Sequence, residues 1–275
     1  MKLLVCKNFI SDRVEILKAS IVYNWQIDSA YPFANIGRMV GSVLYTITTL
    51  IYINVLYQKL HLIAGYSQQE MLVFFAIGQV ALFTIASFSY DNIIDLIASV
   101  NTGGLDLILT KPLPSLFYVS IKNIGLFRIL VENIGSLTIM FFFIKWSTLS
   151  ITFYSFISAL IVFVCGLISM HVIQFIAALP VFWIGESSSL LDSTWSFEYN
   201  IGRTIPYEGF SAPFQIIFTT LLPSLITTGV TASVLLSKSN PLLMAIYCLA
   251  VASFCLIIKN LFWRLALKNY TSASS

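Results

Sequence analysis

The side chains able to do chemistry in this sequence are few, and most lie in apolar surroundings. Arg128 and Glu132 are four residues apart inside an apolar run, so a helix puts them on one face, where they can pair. His171 sits alone, well inside another apolar run. Charged groups at such depth are costly and usually face a cavity or a partner. Two readings stand for these three residues. They line a transport route or a subunit interface, or they are a self-compensating pair and a histidine bonded to a backbone carbonyl. Three aspartates, Asp91, Asp95 and Asp106, surround a punctuated stretch, NTGGLDLILTKPLP, from Asn101 to Pro114.

None of these residues completes an enzyme motif. There is no HExxH and no GxSxG, and neither His61 nor His171 has a carboxylate at helical spacing. The dipeptide Gly-Lys never occurs, so the chain has no P-loop of its own. Cys6, Cys165, Cys248 and Cys255 form no CxxC pair and read as small packing residues. No metal-ligand set is present.

The elements that position these groups follow from composition. The 275 residues are 58% hydrophobic and 10% charged, whereas soluble domains are about 25% charged. So few charges cannot cover a soluble surface, and the chain reads as an all-α integral membrane protein. A net charge of +3 gives no reason to expect nucleic acid. No cleavable signal peptide is expected. Residues 1–30 are amphipathic, with Leu3, Ile10, Val14, Leu17, Ile21 and Trp25 at helical spacing and Lys7, Arg13, Glu15 and Lys18 between them. They suit a helix lying in the membrane interface, or a plain extension of the first span.

Spans are predicted at 36–57, 70–89, 115–144, 151–184 and 241–262, with the third bent near its start. Between 186 and 240 two arrangements remain open. Either 213–236, interrupted by Pro223 and Gly229, is the fifth span, or a semi-polar segment at 187–205 is. In the second case 206–236 is a re-entrant hairpin on the outer side. Both give six crossings. Inner segments then hold ten of the Lys and Arg side chains and outer loops three, with Arg128 inside a span and Arg203 depending on the choice. Both termini are therefore expected on the cytoplasmic side. Trp146 and Trp263 fall near span ends, as interfacial anchors do. No internal repeat of the kind common in secondary transporters is visible.

The stretch 101–114 reads as a stop followed by a start. Gly103 and Gly104 end a helix running from Asp91, and Pro112 and Pro114 set the direction of the next. Between them lies a short helix at the cytoplasmic face, with Asp91, Asp95 and Asp106 directed outward. It is either a docking element for a partner or an ordinary connection.

DLIASVNTGGLDLILTKPLPSLFYV resembles the loop between the second and third spans of ABC-2-type permeases, matching at Gly103, Leu105, Asp106, Leu109, Lys111, Pro112 and Leu113. It departs at Gly104, where that family usually carries an acidic residue. GRTIPYEGFSAPFQIIFTTLLP and the closing FWRLALKNYTSASS are similar to the family's stretch after the fourth span and to its C-terminus. The resemblance favours the 187–205 span and the re-entrant hairpin. It implies the six-span transmembrane subunit of an ATP-driven exporter in a bacterial cytoplasmic membrane, paired with an identical or related permease and embedded in lipid. Separate ATP-binding cassette ATPase subunits would carry the ATP and magnesium, with no cofactor on this chain. The N-terminal amphipathic helix and the 90–112 loop would receive their motion, the loop through Asp91, Asp95, Asn101, Gly103, Gly104 and Asp106. Arg128, Glu132 and His171 would serve the interface or route. The rival readings are a stand-alone ion- or proton-coupled carrier and a membrane-embedded enzyme using His171.

Overall fold

The computed structural model describes residues 2–270, with side chains from Arg13 onward. No strand forms among the described residues; the one β-bridge joins Ile63 and Tyr66 in a loop. Helix α1 is Lys2–Ser29, and α2 is Pro32–Tyr57. Helix α3 runs as one rod over Gln68–Asn101, with a π turn at Ala86–Tyr90. A short α4 covers Gly104–Leu109. Helices α5 (Ser115–Ile121) and α6 (Leu126–Phe143) are two pieces of one broken span. Helix α7 is Phe153–Ala178, α8 is Ser188–Phe197 and α9 is Ala212–Thr220. Helix α10 is Ile226–Leu235, opening on a π turn at Ile226–Val230, and α11 is Pro241–Asn269.

Among the described residues, five helical stretches are long and apolar enough to cross a membrane: 32–57, 68–101, 115–143, 153–184 and 241–269. They overlap the five uninterrupted spans expected from hydropathy, the second running on from the expected end at 89 to Asn101, and the third is broken near its start. The segment 213–236 is not one helix. It breaks at Leu221–Leu225, around Pro223.

The starts of these helices are written locally. Ser67 and Glu70 form a reciprocal capping box at α3, and Thr152 and Ser155 another at α7. Asn240 caps α11, with Pro241 at its first position, where the missing N–H is not needed. The bundle centre is α7, flanked by α11 and α10. Gly166 makes this possible: a Cβ there would stand 2.5 Å from Thr227 Cα, so only glycine lets α7 meet the turn at 226–230.

Three apolar clusters hold the bundle. At one end Ile93, Leu96, Leu105, Phe175, Phe182 and Trp263 interlock. Trp263 is 4% exposed, between Phe175 and Phe182 at 5.7 and 5.8 Å. It is a core residue, not the interfacial anchor expected from its place near a span end. Trp146, by contrast, is 44% exposed. Cys165, Cys248 and Cys255 are buried free thiols, as expected; the side chain of Cys6 is outside the described residues.

The opposite end is tied by ions. Lys238 pairs with Glu70 at 2.8 Å, lies over the Tyr66 ring and donates to the Gly65 carbonyl. Burial, then the carboxylates of Glu208 and Glu70, drive ionisation of the Tyr66 phenol far above its ordinary value. Of the amphipathic segment, α1 is helical, while Leu3, Lys7 and Ile10 fall outside the described side chains. Its described inner face is mixed, with Ile16, Leu17, Ser20, Ile21, Asn24 and Asp28, and Trp25 meets Phe127 edge-on at 5.0 Å.

Candidate functional site

The cytoplasm-facing element predicted at 90–112 is built as an extension of a span. Helix α3 does not stop at Ser89. The π turn at Ala86–Tyr90 adds one residue per turn there, rotating the face that follows, and the helix continues to Asn101. Gly103 then adopts φ 76° and opens α4. The left-handed conformation costs a side-chain-bearing residue about 1–2 kcal/mol, so glycine is placed by need. Gly104 has no such need. A Cβ there would meet only ordinary contacts at 3.5 Å or more, so the acidic residue usual in the resembling family would fit.

Helix α4 points both ways. Leu105 is fully buried among Ile93, Val100 and Phe182, while Leu107 is 70% exposed. Asn101 at the end of α3 is exposed, as are Thr102 and Thr110–Pro112. Asp106 faces the Tyr270 hydroxyl, and burial followed by that carboxylate pushes the tyrosine's pKa above its ordinary value. The result is a tip with an anchored inner face and an apolar knob outward. Leu107 was not among the residues singled out from the sequence, where an i, i+2 leucine pair gives no hint of which member is exposed.

Asp91 and Asp95 share a face of α3, but they do not point freely outward as expected. Asp91 is ion-paired to Arg128. Asp95 takes Lys122 at 3.0 Å and the Asn123 amide at 2.7 Å. The reason is the break in the third span. Residues 122–125 leave the helix, and their backbone groups need partners. Asn92 supplies them in both directions, accepting from Asn123 N at 2.7 Å and donating to its carbonyl at 2.7 Å. Gly125 N bonds the Ser87 carbonyl at 3.2 Å, from within the π turn. The two irregularities complete each other, as broken helices in a membrane require.

Helix α1 closes this region. Asn24 donates to the Lys122 carbonyl at 3.0 Å. Tyr23, Asp28, Tyr90, Asp91, Lys122 and Arg128 line part of a cavity of about 520 Å³ between α1, α3 and the broken span. The charge pairs on its wall are a fifth to two-fifths exposed. Pairs so close to water are worth about 0–1 kcal/mol each, so they can be exchanged without unfolding anything.

The pairing expected between Arg128 and Glu132 does not form. Arg128 is taken by Asp91 and by the Ser87 hydroxyl at 2.9 Å. Glu132 instead approaches Arg38 of α2, at 4.0 Å, and its Oε2 has no partner. The π turn presents Ser87 and Asp91 to Arg128 more directly than one helical turn presents Glu132.

His171 does not bond a backbone carbonyl either. Its Nε2 is 2.7 Å from Lys259 Nζ and its Nδ1 is 2.9 Å from Ser89 Oγ. With Lys259 protonated, its ammonium only donates, so Nε2 accepts and the ring proton is on Nδ1. Ser89 in turn donates to Gln174 Oε1 at 2.6 Å. Lys259 also donates to Ser120 Oγ at 2.7 Å and stands 4.4 Å over the Phe175 ring. This chain of contacts ties α3, α5, α7 and α11 together. Lys259 was counted from the sequence only as an inner positive charge; its place four residues before Trp263 in an apolar run was the available signal.

Among the described residues no group of His, Cys, Asp and Glu is arranged to hold a metal. Residues 43–274 match the family model described as ABC-2 family transporter protein. Neither the curated proteins nor the solved structures give a match.

Proposed function

Because the chain belongs to the ABC-2 transporter family, as a multi-pass membrane permease subunit of an ABC transporter, we propose that it works in an exporter driven by separate ATPase subunits docked at 101–112. The observation that carries this is the unbroken α3. A rod that crosses the bundle, bears the Asp91 and Asp95 pairs and ends in the Leu107 knob can transmit a push from the tip to the span. ATP and magnesium bind the partner, and this chain supplies none of that chemistry. A second permease, identical or related, completes the route.

For the membrane topology we adopt six crossings with 188–202 as the fifth. The segment 206–236 then enters and leaves on the outer side. In support, Glu208 bonds Ser233, Ser237 donates to the Ser150 carbonyl, and Lys238 reaches Glu70, so both ends of the segment lie together beside the 65–70 and 145–150 loops. Its middle, Leu222 and Ser224, lines one cavity with Met170, Ile173 and Phe197. Both termini then lie in the cytoplasm of a bacterium, on the side of the tip.

The experiment is co-expression with the ATPase encoded nearby, followed by purification in detergent and transport in proteoliposomes. Wild-type chain is expected to retain the ATPase, and Leu107→Glu to lose it while eluting as a folded protein. A wild-type chain that retains no ATPase and moves solute on an ion gradient without ATP is a secondary carrier, and the proposal fails.

A further inference from the structure

Two oppositely charged residues in the middle of the bundle, Glu198 and Arg203, are 2% and 3% exposed. Four of their polar atoms have no protein partner: both carboxylate oxygens of Glu198, and Nε and Nη1 of Arg203. They lie on, and just beyond, the π turn Glu198–Gly202. The Glu198 carboxylate folds against Gly202, where a Cβ would stand 2.7 Å from Oε2. The Arg203 guanidinium lies between the rings of Tyr45 and Tyr199, 5.5 and 5.3 Å away, and donates from Nη2 to the Tyr45 hydroxyl at 3.0 Å. Its Nε and Thr228 Cγ2 converge on Gly78, 3.3 and 3.2 Å from where a Cβ would be. Beside them Thr228 Oγ1 is also buried and unpartnered.

A buried polar atom left unpaired bears the full loss of its hydration, and more when charged. Five such atoms on three neighbouring residues call for an occupant. Its chemistry follows from the pair. It must donate to Glu198 and accept from Arg203. A metal cation serves only the carboxylate, and a halide only the guanidinium. Water does both, asks for two to four polar partners, and is small enough for groups this buried. We propose that Glu198, Arg203 and Thr228 enclose a site for ordered water, a wet point inside the bundle where α2 and α3 meet the two irregular segments 198–203 and 226–230. Contacts made through water part and re-form at little loss. On the transporter reading above, this is where those segments move relative to α3.

Radiolytic hydroxyl labelling of the full chain in lipid nanodiscs, read by mass spectrometry, tests the site, because bound water is converted to the radical in place. Tyr45 is only partly buried, so its rate is compared with itself: it is expected to label several-fold faster in the wild-type chain than in the apolar double variant E198L/R203M. Tyr45 labelling undiminished in the folded double variant overturns the proposal. A density map of the wild-type chain in nanodiscs decides independently of whether the variant folds. A peak within hydrogen-bond distance of both Glu198 and Arg203 supports the site, and a direct ion pair with no peak removes it. Neither readout uses ATP, an ATPase or cargo, so its failure and that of the exporter reading are separate events.

Discussion

The polar groups at the tip-side cavity and those around His171 are less than one helix length apart in sequence on α3, yet they live in different solvents. Asp91–Arg128 and Asp95–Lys122 stay partly open to water. Ser89, His171, Gln174 and Lys259 are at most 5% exposed. The same residue chemistry therefore does two jobs. Near water a charge pair is weak and replaceable, which suits a surface that must respond to a partner. In the interior Ser89, His171, Ser120 and Lys259 are tied donor to acceptor, with the Gln174 Nε2 alone among these contacts left unpartnered, and a lost member leaves its neighbours unsolvated. The π turn at 86–90 joins the two zones, giving Ser87 to one and Ser89 to the other.

The largest effect is expected where a buried cation loses its acceptor. His171→Leu leaves Lys259 with Ser120 and the Phe175 ring alone. A destabilisation of about 3 kcal/mol or more is expected from stranding a charge, read as a fall in unfolding temperature of the purified chain. The double variant H171L/K259M is expected to be milder than H171L alone. A double variant no milder than the single one would mean that the ammonium is not the stranded group.

Next comes a purely apolar contrast. Gly166→Ala forces a Cβ into the Thr227 backbone, and overpacking costs about 1–3 kcal/mol. Gly37→Ala, with nothing within 4 Å, is expected to change stability little or for the better. Equal effects of the two by thermal unfolding would break the account of why α7 and α10 meet.

Much of the fold was legible because a span is a composition signal. The five long apolar stretches, the break after Pro114 and the special role of Gly103 all follow from residue types in one short window. The partners were not. Arg128 and Glu132 are well placed on a simple helical wheel, but Asp91 lies 37 residues earlier and is turned toward Arg128 by a π turn that no local pattern announces. Lys259 and His171 are 88 residues apart. Trp263 near a span end has the same sequence signature as Trp146; only the packing of Phe175 and Phe182 around it separates core from anchor. Glu198 and Arg203 marked their segment as mixed, but their burial beside Tyr45, Gly78 and Thr228 depends on separate segments far apart in sequence.

At the tip, the adjacent glycines are a smaller test. Gly103→Ala is expected to cost about 1 kcal/mol because of its left-handed φ. Gly104→Ala is expected to gain about 0.5 kcal/mol by restricting the unfolded chain and favouring α4. Thermal unfolding of the two variants side by side checks the pair, and a destabilised Gly104→Ala would refute the assignment of the strained position to Gly103 alone.

The smallest expected stability effect carries the sharpest contrast. Asp95→Asn keeps the shape and an acceptor for Asn123 but removes the charge facing Lys122. The pair is about two-fifths exposed on both sides, so solvent screening leaves it worth no more than a few tenths of a kcal/mol. Unfolding temperature should hardly move. Transport coupled to ATP hydrolysis, by contrast, should fall if the wall of this cavity passes on the ATPase's motion, because a replaceable pair on α3 is then part of the stroke. The measurement is the ratio of solute moved to ATP hydrolysed in proteoliposomes, beside the unfolding temperature of the same preparation. A variant that unfolds early would place Asp95 with the structural groups around His171. One that transports with an unchanged ratio would leave Leu107 and α4, rather than the charged face of α3, as the path by which the tip drives the bundle.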